Sequence, residues 1–402
     1  MADAAAVSFP QQDRVHAQAS RATSAGVTVE AVCDRAGFQA LAASWQALEA
    51  RAATPTLFQS LAWCRQIFDL EAGREAQTFD PLILVARKHS QVAGLLPLRR
   101  LRRSGVILTG LGEPYQQYTD LVLAPGADGG AALRAMLASP HLGGADAIEL
   151  LKVRADSALF AALGLRTTKL TPVDGAPFVD LRPFPDFAGY LKTVNAKSRK
   201  NMRNQRNRLA REAPLEAVSC TTRVEIGTLI QASFEGRVDW LEREGLSSRA
   251  FRDPDFSRFV ARFADQDATG IEVLAVALKH GERTIAEQWG FIHKRRYYAY
   301  VASWDPAYEE ASPGKLIMEE VLRAAHARGV EIADFLMPAA RYKLTWADCA
   351  TPVYDIVLPL SLRGQVTARL WTGWLRPIAK RAVLALPSEI RSRLRKRNRS
   401  QP

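Results

Sequence analysis

Two hydrophobic periods alternate along this chain, and each change of period marks an element. Residues 27–33 alternate apolar and polar positions as a strand does, and residues 38–50 place Leu41, Trp45 and Leu48 on one helical stripe. A short helix carrying Trp63 follows. Residues 81–87 and 92–98 flank Lys88-His89-Ser90-Gln91 and predict a hairpin. Further strands are expected at 106–111, 118–123 and 147–153, helices at 131–137 and 157–163, and an extended exit at 178–181. After Pro183 and Pro185 the sequence starts again. Residues 187–191 and 196–212 are helical, 215–221 a strand, and 226–241 and 256–263 helical. A second hairpin is expected from 271–279 and 284–292 around His280-Gly281-Glu282, then a strand at 297–304, a helix from Ser312, and strands at 330–336 and 352–360. Ser312 is placed to cap that helix, with Pro313 in its first turn and Gly329 closing it.

The two halves thus repeat one order: strand, helices, hairpin, strand, helix, strand. Hairpins mixed with β-α-β units predict an α/β fold with a mixed sheet in each half. The segments expected are an unstructured 1–26, an N-terminal domain over 27–182, a C-terminal domain over 183–361 and a tail over 362–402. A length of 402 residues and a hydrophobic share of 48% support two such cores.

Charge changes the picture once it is located. The formal net charge is +12, but residues 363–402 carry +10 and residues 197–211 carry +7, so the rest of the chain is −5. Two basic segments on a mildly acidic body point to anionic partners. Cys33, Cys64, Cys220 and Cys349 are far apart and no histidine cluster accompanies them, so neither a disulfide framework nor a metal site is expected. The N-terminus lacks the basic start and apolar core of a secretory signal, and no apolar run of membrane-spanning length occurs. A cytoplasmic protein is expected, with peripheral attachment to the inner membrane face.

Candidate chemistry gathers in the second half. Arg199, Arg203 and Arg206 share one face of the basic helix, and guanidinium forks suit phosphate or carboxylate; a solvated charged face accounts for them equally well. Ser312, Gly314 and Lys315 open a helix after a strand, where free amides and a lysine could hold a pyrophosphate. Neither a Walker loop nor a Rossmann fingerprint is present. Lys343 could neutralise a developing oxyanion, and Asp334 or Glu287 could accept a proton from an attacking amine or hydroxyl. A simple Asp334–Lys343 ion pair is the competing reading.

The ordered pieces Phe58-Gln59-Ser60…Trp63, Tyr118-Thr119-Asp120-Leu121, Lys197-Ser198-Arg199-Lys200…Arg203, Trp240, Ser312-Pro313-Gly314, Asp334-Phe335-Leu336 and Tyr342-Lys343…Trp346 run over residues 30–360. In these pieces the chain resembles the bacterial GNAT-fold acetyltransferases of the cellulose-biosynthesis type, which are related to the Fem-type aminoacyl transferases. The resemblance implies two GNAT-like domains in tandem, the second holding the donor. It implies acyl-CoA, in particular acetyl-CoA, as donor and an envelope or exopolysaccharide precursor as acceptor. Arg199, Arg203 and Trp240 would hold that anionic acceptor, and Lys343 would stand at the transfer centre. In GNAT enzymes a glutamine- or arginine-led, glycine-rich loop binds the pyrophosphate. The corresponding run here, Glu309 to Gly314, keeps the last glycine and begins with an acid. Fem-like transfer from aminoacyl-tRNA, and a catalytically degenerate scaffold for polysaccharide synthesis, are the alternatives implied.

The tail repeats Val366, Leu370, Trp374 and Ile378 every four residues among Arg369, Arg376, Lys380 and Arg381, and ends in the basic run 391–397. An amphipathic, tryptophan-bearing helix followed by a basic run suits an anionic membrane surface, at about 1 kcal/mol per basic residue near it. Removing every residue after Ser361 is therefore expected to abolish co-sedimentation with phosphatidylserine-containing vesicles; unchanged sedimentation would refute this role.

Overall fold

The computed structural model describes residues 26–367, apart from 53–56, 75–78, 103–104 and 348. The expected unstructured N-terminus and all but the start of the tail helix lie outside the described residues.

The first half contains β1 (Val27–Val32), α1 (Arg35–Arg51), α2 (Leu61–Ala72), β2 (Asp80–Lys88), β3 (Gln91–Arg102), β4 (Val106–Gly110), β5 (Val122–Leu123), α3 (Gly129–Leu137), β6 (Ala147–Arg154), α4 (Ala158–Ala162) and β7 (Asp174–Asp180). The second contains α5 (Phe187–Thr193), α6 (Ala196–Glu212), β8 (Leu215–Cys220), α7 (Arg223–Arg243), α8 (Asp255–Ala261), α9 (Gln266–Thr269), β9 (Glu272–His280), β10 (Arg283–His293) and β11 (Arg296–Trp304). It continues with α10 (Pro313–Ala327), β12 (Ile332–Asp334) and β13 (Cys349–Pro359), and α11 (Leu362–Thr367) begins the tail. Both predicted hairpins form, β2–β3 and β9–β10.

All the described strands join one mixed sheet, in the order β1-β2-β3-β4-β6-β13-β7-β12-β11-β10-β9-β8, with β5 beside β3. The α/β class expected from the pattern is the one found. Each half contributes one parallel pair, β4 with β6 and β11 with β12, bridged by α3 and α10 respectively. At the centre the halves exchange strands. β13, late in the chain, pairs with β6 of the first half, while β7 pairs with β12 of the second. β7 and β13 also pair with each other.

Helices cover the sheet in three packed groups. On one face α1 and α2 of the first half meet α7 and α8 of the second in a shared aromatic core. Trp63 lies at its centre, fully buried, stacked on Phe263 and meeting Phe58, Phe259 and Phe291 edge-on. On the opposite face α5, α6 and α10 cover the second half, and α3 and α4 cover the first. Local capping starts these helices where their sequences direct. Ser60 accepts from the Trp63 amide to open α2, and Thr222 with Glu225 forms a capping box on α7.

Three local expectations are corrected. Residues 118–123 form a strand only at Val122–Leu123, because the polar side chains before it are used for buried tertiary bonds. The Tyr118 hydroxyl donates to Asp334, and Asp120 accepts from the amides of Leu121 and Leu159. Ser312 does not cap α10 with its side chain. A 3-10 turn over Pro306–Ala311 delivers it in the left-handed region, at φ 53°. The strand expected at 330–336 shortens to β12, after which Leu336 also turns left-handed, at φ 58°.

The two halves are tied by a buried charge network at the ends of β6 and β12. Asp334, fully buried, accepts from Arg154 at 2.6 Å, from the Tyr118 hydroxyl at 2.8 Å and from the Leu336 amide at 2.9 Å, and lies 3.5 Å from Arg296. Arg154 also engages Asp156 at 2.8 Å. Removing one partner of a buried pair strands the other, at a cost of about 3–5 kcal/mol, whereas an exposed pair contributes under about 1 kcal/mol. Asp334→Ala is therefore expected to lose several kcal/mol in urea denaturation. Arg182→Ala, which removes the exposed pair with Asp180, should shift the midpoint little.

Candidate functional site

The site begins with a strand that outlasts its neighbour. β11 pairs with β12 only as far as Tyr298 opposite Asp334, yet it continues to Trp304 along β10. A bulge at Trp289/Gly290 bends the β10–β11 pair there. Gly290 is required, since a Cβ would meet the Tyr298 carbonyl oxygen at 2.0 Å. The far end of β11 is roofed by α7. Gly236 lets the helix come close: a Cβ there would meet the Ser303 hydroxyl at 3.0 Å. The result is a narrow crevice, with no room for a water molecule, lined by Gly236, Arg237 and Trp240 of α7 and by Ala302, Ser303 and Trp304 of β11.

Glu287 adjoins this crevice through Ser303. It faces Ser303 across the β10–β11 ladder, and the Ser303 hydroxyl donates to it. Burial raises its carboxyl to about 7, the Ser303 bond opposes that, and the charge of Asp305 adds to it. A carboxyl that exchanges its proton near neutrality is what a general base needs. On the α7 side, the Arg237 guanidinium lies 4.0 Å from the centre of the Trp240 ring. Burial lowers Arg237 from the usual guanidinium range, and the Tyr342 phenol opposes that shift.

Lys343 approaches from the turn after β12. The residue is 7% exposed, and its ammonium donates to the Leu336 carbonyl at 3.1 Å. Burial lowers it to about 8; Asp334 and Asp174 hold it up, and Arg237 presses it further down. Arg237 is thus close enough to Lys343 for the two charges to be felt.

Of the residues singled out in the sequence, Trp240 meets Arg237, Arg237 is felt by Lys343, and Glu287 bonds to Ser303 of the same crevice. Asp334 is not free to join them, because both of its oxygens are engaged in the network between the halves. It and Lys343 are not within ion-pair distance of each other among the described residues; Arg154 and Arg296 take that place. Gly314 sits behind Trp304, in ordinary contact distance of its ring. The amides around it are largely spent: Ser312 donates to Glu309, Lys315 and Leu316 donate to Ser312, and Pro313 has none. Among these only the Gly314 amide lacks a backbone acceptor, so the start of α10 does not fit a pyrophosphate cradle.

Helix α6 runs alongside on the opposite face, seated through Met202 and Leu209. Arg206 pairs with Glu320 at 2.6 Å and Glu319 at 3.2 Å, which pins α6 to α10. Arg199 donates to the Val194 carbonyl at 2.9 Å. Arg203 is exposed, and with Lys197, Lys200 and Arg211 it has no acidic partner among the described residues. Arg237 escaped the sequence reading, although its place three residues before Trp240 on a helix was a signal for the cation–ring contact.

Burial of Glu287 has a measurable consequence. In the unfolded chain its carboxyl ionises near 4.5, in the folded protein near 7. The unfolded state releases its proton first, so this group costs stability increasingly as pH rises through that interval. Glu287→Gln is expected to gain on the parent protein in thermal unfolding between pH 4.5 and 7, with the difference levelling off above it.

Comparison with known proteins places this site in a familiar domain. Residues 196–344 match the acetyltransferase (GNAT) domain family, a stretch that includes α7, β10, β11, α10 and Lys343. A search of curated proteins finds no match. Among solved structures, FemX is similar with a TM-score of 0.55 at 11% identity, over 85% of this chain and 99% of that one. A conserved protein of unknown function from Bacteroides thetaiotaomicron VPI-5482 gives 0.49 at 13%, over 78% and 96%. A tandem GNAT protein from the clavulanic acid biosynthesis pathway gives 0.47 at 13%, over 83% and 99%. The likeness to FemX spans both halves, and at this identity it is a likeness of fold.

Proposed function

We propose that the protein is an acyltransferase in which an amine or hydroxyl acceptor attacks an activated acyl carbonyl beside the crevice between α7 and β11, with Glu287 taking the acceptor's proton. The observation that carries this reading is the half-buried carboxyl of Glu287, pushed up to about 7 and bonded to Ser303, in a chain whose residues 196–344 match the GNAT domain family. The new bond forms between the acceptor nitrogen or oxygen and the acyl carbon. The bond to the leaving group breaks, and the proton on Glu287 is passed on to the leaving group or to water. Lys343 is assigned the stabilisation of the oxyanion formed on the way, the role that the resemblance implies for it. No covalent enzyme intermediate is invoked: the acceptor attacks the acyl carbon directly.

The resemblance to acetyltransferases of the cellulose-biosynthesis type makes an acyl-CoA thioester the first donor to consider, and an anionic envelope or exopolysaccharide precursor the acceptor. The start of α10 gives that donor little phosphate support. A second donor is favoured by a separate observation: the row Lys197, Lys200, Arg203 and Arg211 on α6 is left without acidic partners, a surface suited to the phosphates of a charged tRNA. The two donors separate by experiment. Isothermal titration with acetyl-CoA should give a binding isotherm under the first reading, and RNase treatment should abolish transfer only under the second. Under either, the rate should rise with pH through about 7, and Glu287→Gln should slow transfer by about 10²–10⁴-fold. An unaltered rate and pH profile in that variant would remove Glu287 from the mechanism, and cells indifferent to both Glu287→Gln and Lys343→Ala would favour a scaffold.

A further inference from the structure

An open depression of about 510 Å³ lies where the two halves meet. Arg74 and Pro114 of the first half form one side of it. Arg249, Arg252, Asp253, Pro254 and Asp255, in the approach to α8, form the other.

The charges around this depression divide into two sets. The first is settled internally. Arg74 lies 2.7 Å from Asp255, 3.0 Å from Asp253 and 3.1 Å from Glu71; Arg99 lies 2.8 Å from Glu71, and Arg258 pairs with Asp255. Asp253 also accepts from the Tyr115 hydroxyl at 2.7 Å and from the Asp255 amide at 3.0 Å. Three arginines thus meet three carboxylates, and the set is neutral as a whole. Arg249 and Arg252 form the second set. Both are exposed, and neither side chain has a hydrogen-bond or ion-pair partner among the described residues. The depression therefore carries two guanidinium charges in excess of its carboxylates.

The backbone holds these two together. The Arg252 amide donates to the Ser248 carbonyl at 3.1 Å and the Asp253 amide to the Ala250 carbonyl at 3.0 Å, a single helical turn that sets residues three apart on one side. The turn is braced against the first half. Tyr115 stacks on Phe256 at 5.1 Å and on Phe259 at 4.7 Å, and Tyr300 donates to the Tyr115 carbonyl at 2.7 Å.

We propose that this depression binds the phosphate of a small, polar phosphate monoester, such as a sugar phosphate, with Arg249 and Arg252 as its two ligands. A phosphate monoester carries a charge of about −1.5 to −2 at neutral pH, which matches two guanidiniums where a carboxylate matches one. Its oxygens also suit the guanidinium fork. The volume falls in the range of small-molecule sites. No aromatic ring lines the depression, so its walls favour a polar body over a stacked base. The proposal uses neither Glu287 nor Lys343 and stands whether or not acyl transfer takes place. A ligand held there touches both halves.

The test is titration calorimetry on the full-length protein at low ionic strength and about pH 7.5, where phosphate monoesters are mostly dianions. The probes are glucose 1-phosphate, inorganic phosphate, D-glucuronate and neutral methyl glucoside. Glucose 1-phosphate should bind and raise the unfolding temperature. Glucuronate should bind several-fold more weakly, and methyl glucoside should not bind. Replacing both arginines, Arg249→Gln with Arg252→Gln, should weaken glucose 1-phosphate by about tenfold or more, the effect of losing charged hydrogen bonds. Both side chains are exposed and unpaired, so the unliganded double variant should melt as the parent does; the two single variants carry the test if it does not. Lys88→Gln, in the turn of the β2–β3 hairpin, removes one charge elsewhere and should leave binding unchanged. Inorganic phosphate binding as tightly as the ester would support the site and restrict recognition to the phosphate itself. The proposal falls if neither phosphate binds at millimolar concentration, or if the folded arginine variants bind as the parent does. It falls equally if Lys88→Gln weakens binding as much as either single arginine variant, or if glucuronate binds as tightly as glucose 1-phosphate.

Discussion

The buried carboxylate of Asp334 is the point on which the rest of the molecule turns. A charge with no access to water must be matched on the spot, and its partners come from both halves: Arg154 at the end of β6, Tyr118 from the loop before β5, and Arg296 at the start of β11. Matching it fixes how β6 and β12 sit relative to each other across the exchanged strands. It also fixes the chain just after β12, because the same carboxylate accepts from the Leu336 amide, and the Leu336 carbonyl in turn accepts from Lys343. The position of a candidate catalytic lysine is thus set by a bond network whose other end is in the opposite half.

The cleft itself is governed by desolvation. Burial moves Glu287 from 4.5 up to about 7 and Lys343 from 10.5 down to about 8, so an acid and a base are both brought close to neutrality. That convergence needs no metal and no unusual residue type. It needs a helix packed tightly enough over the strand end to exclude water, which the small side at Gly236 provides.

Much of this was legible in the sequence wherever the cause was local. The periods of residues 81–98 and 271–292 gave both hairpins, since register within a hairpin depends on near neighbours. The basic helix over 196–212 was legible from charge alone. What could not be read depends on distant partners. Residues 118–121 have strand composition but are drawn out of the ladder by buried bonds to Asp334 and to α4. Asp334 reads as a base until its partners, 180 and 216 residues away in sequence, are in place. Ser312 has the chemistry of a cap, but the 3-10 turn ahead of it dictates its backbone instead. Glu287 could be chosen only as one carboxylate among several, because its distinction lies in burial.

The strand exchange also carries a consequence for how the protein is made. β6 lies beside β4 as soon as both have left the ribosome, but its other neighbour, β13, begins at Cys349. The first half therefore emerges with an open edge that only β13 can close, after some two hundred further residues have been translated. Pairings of such sequence separation are slow to form, and an open edge is a template for foreign strands in the meantime. Synthesis of this chain has a window of vulnerability built into its topology, and the window shuts only once β13 has been translated and paired.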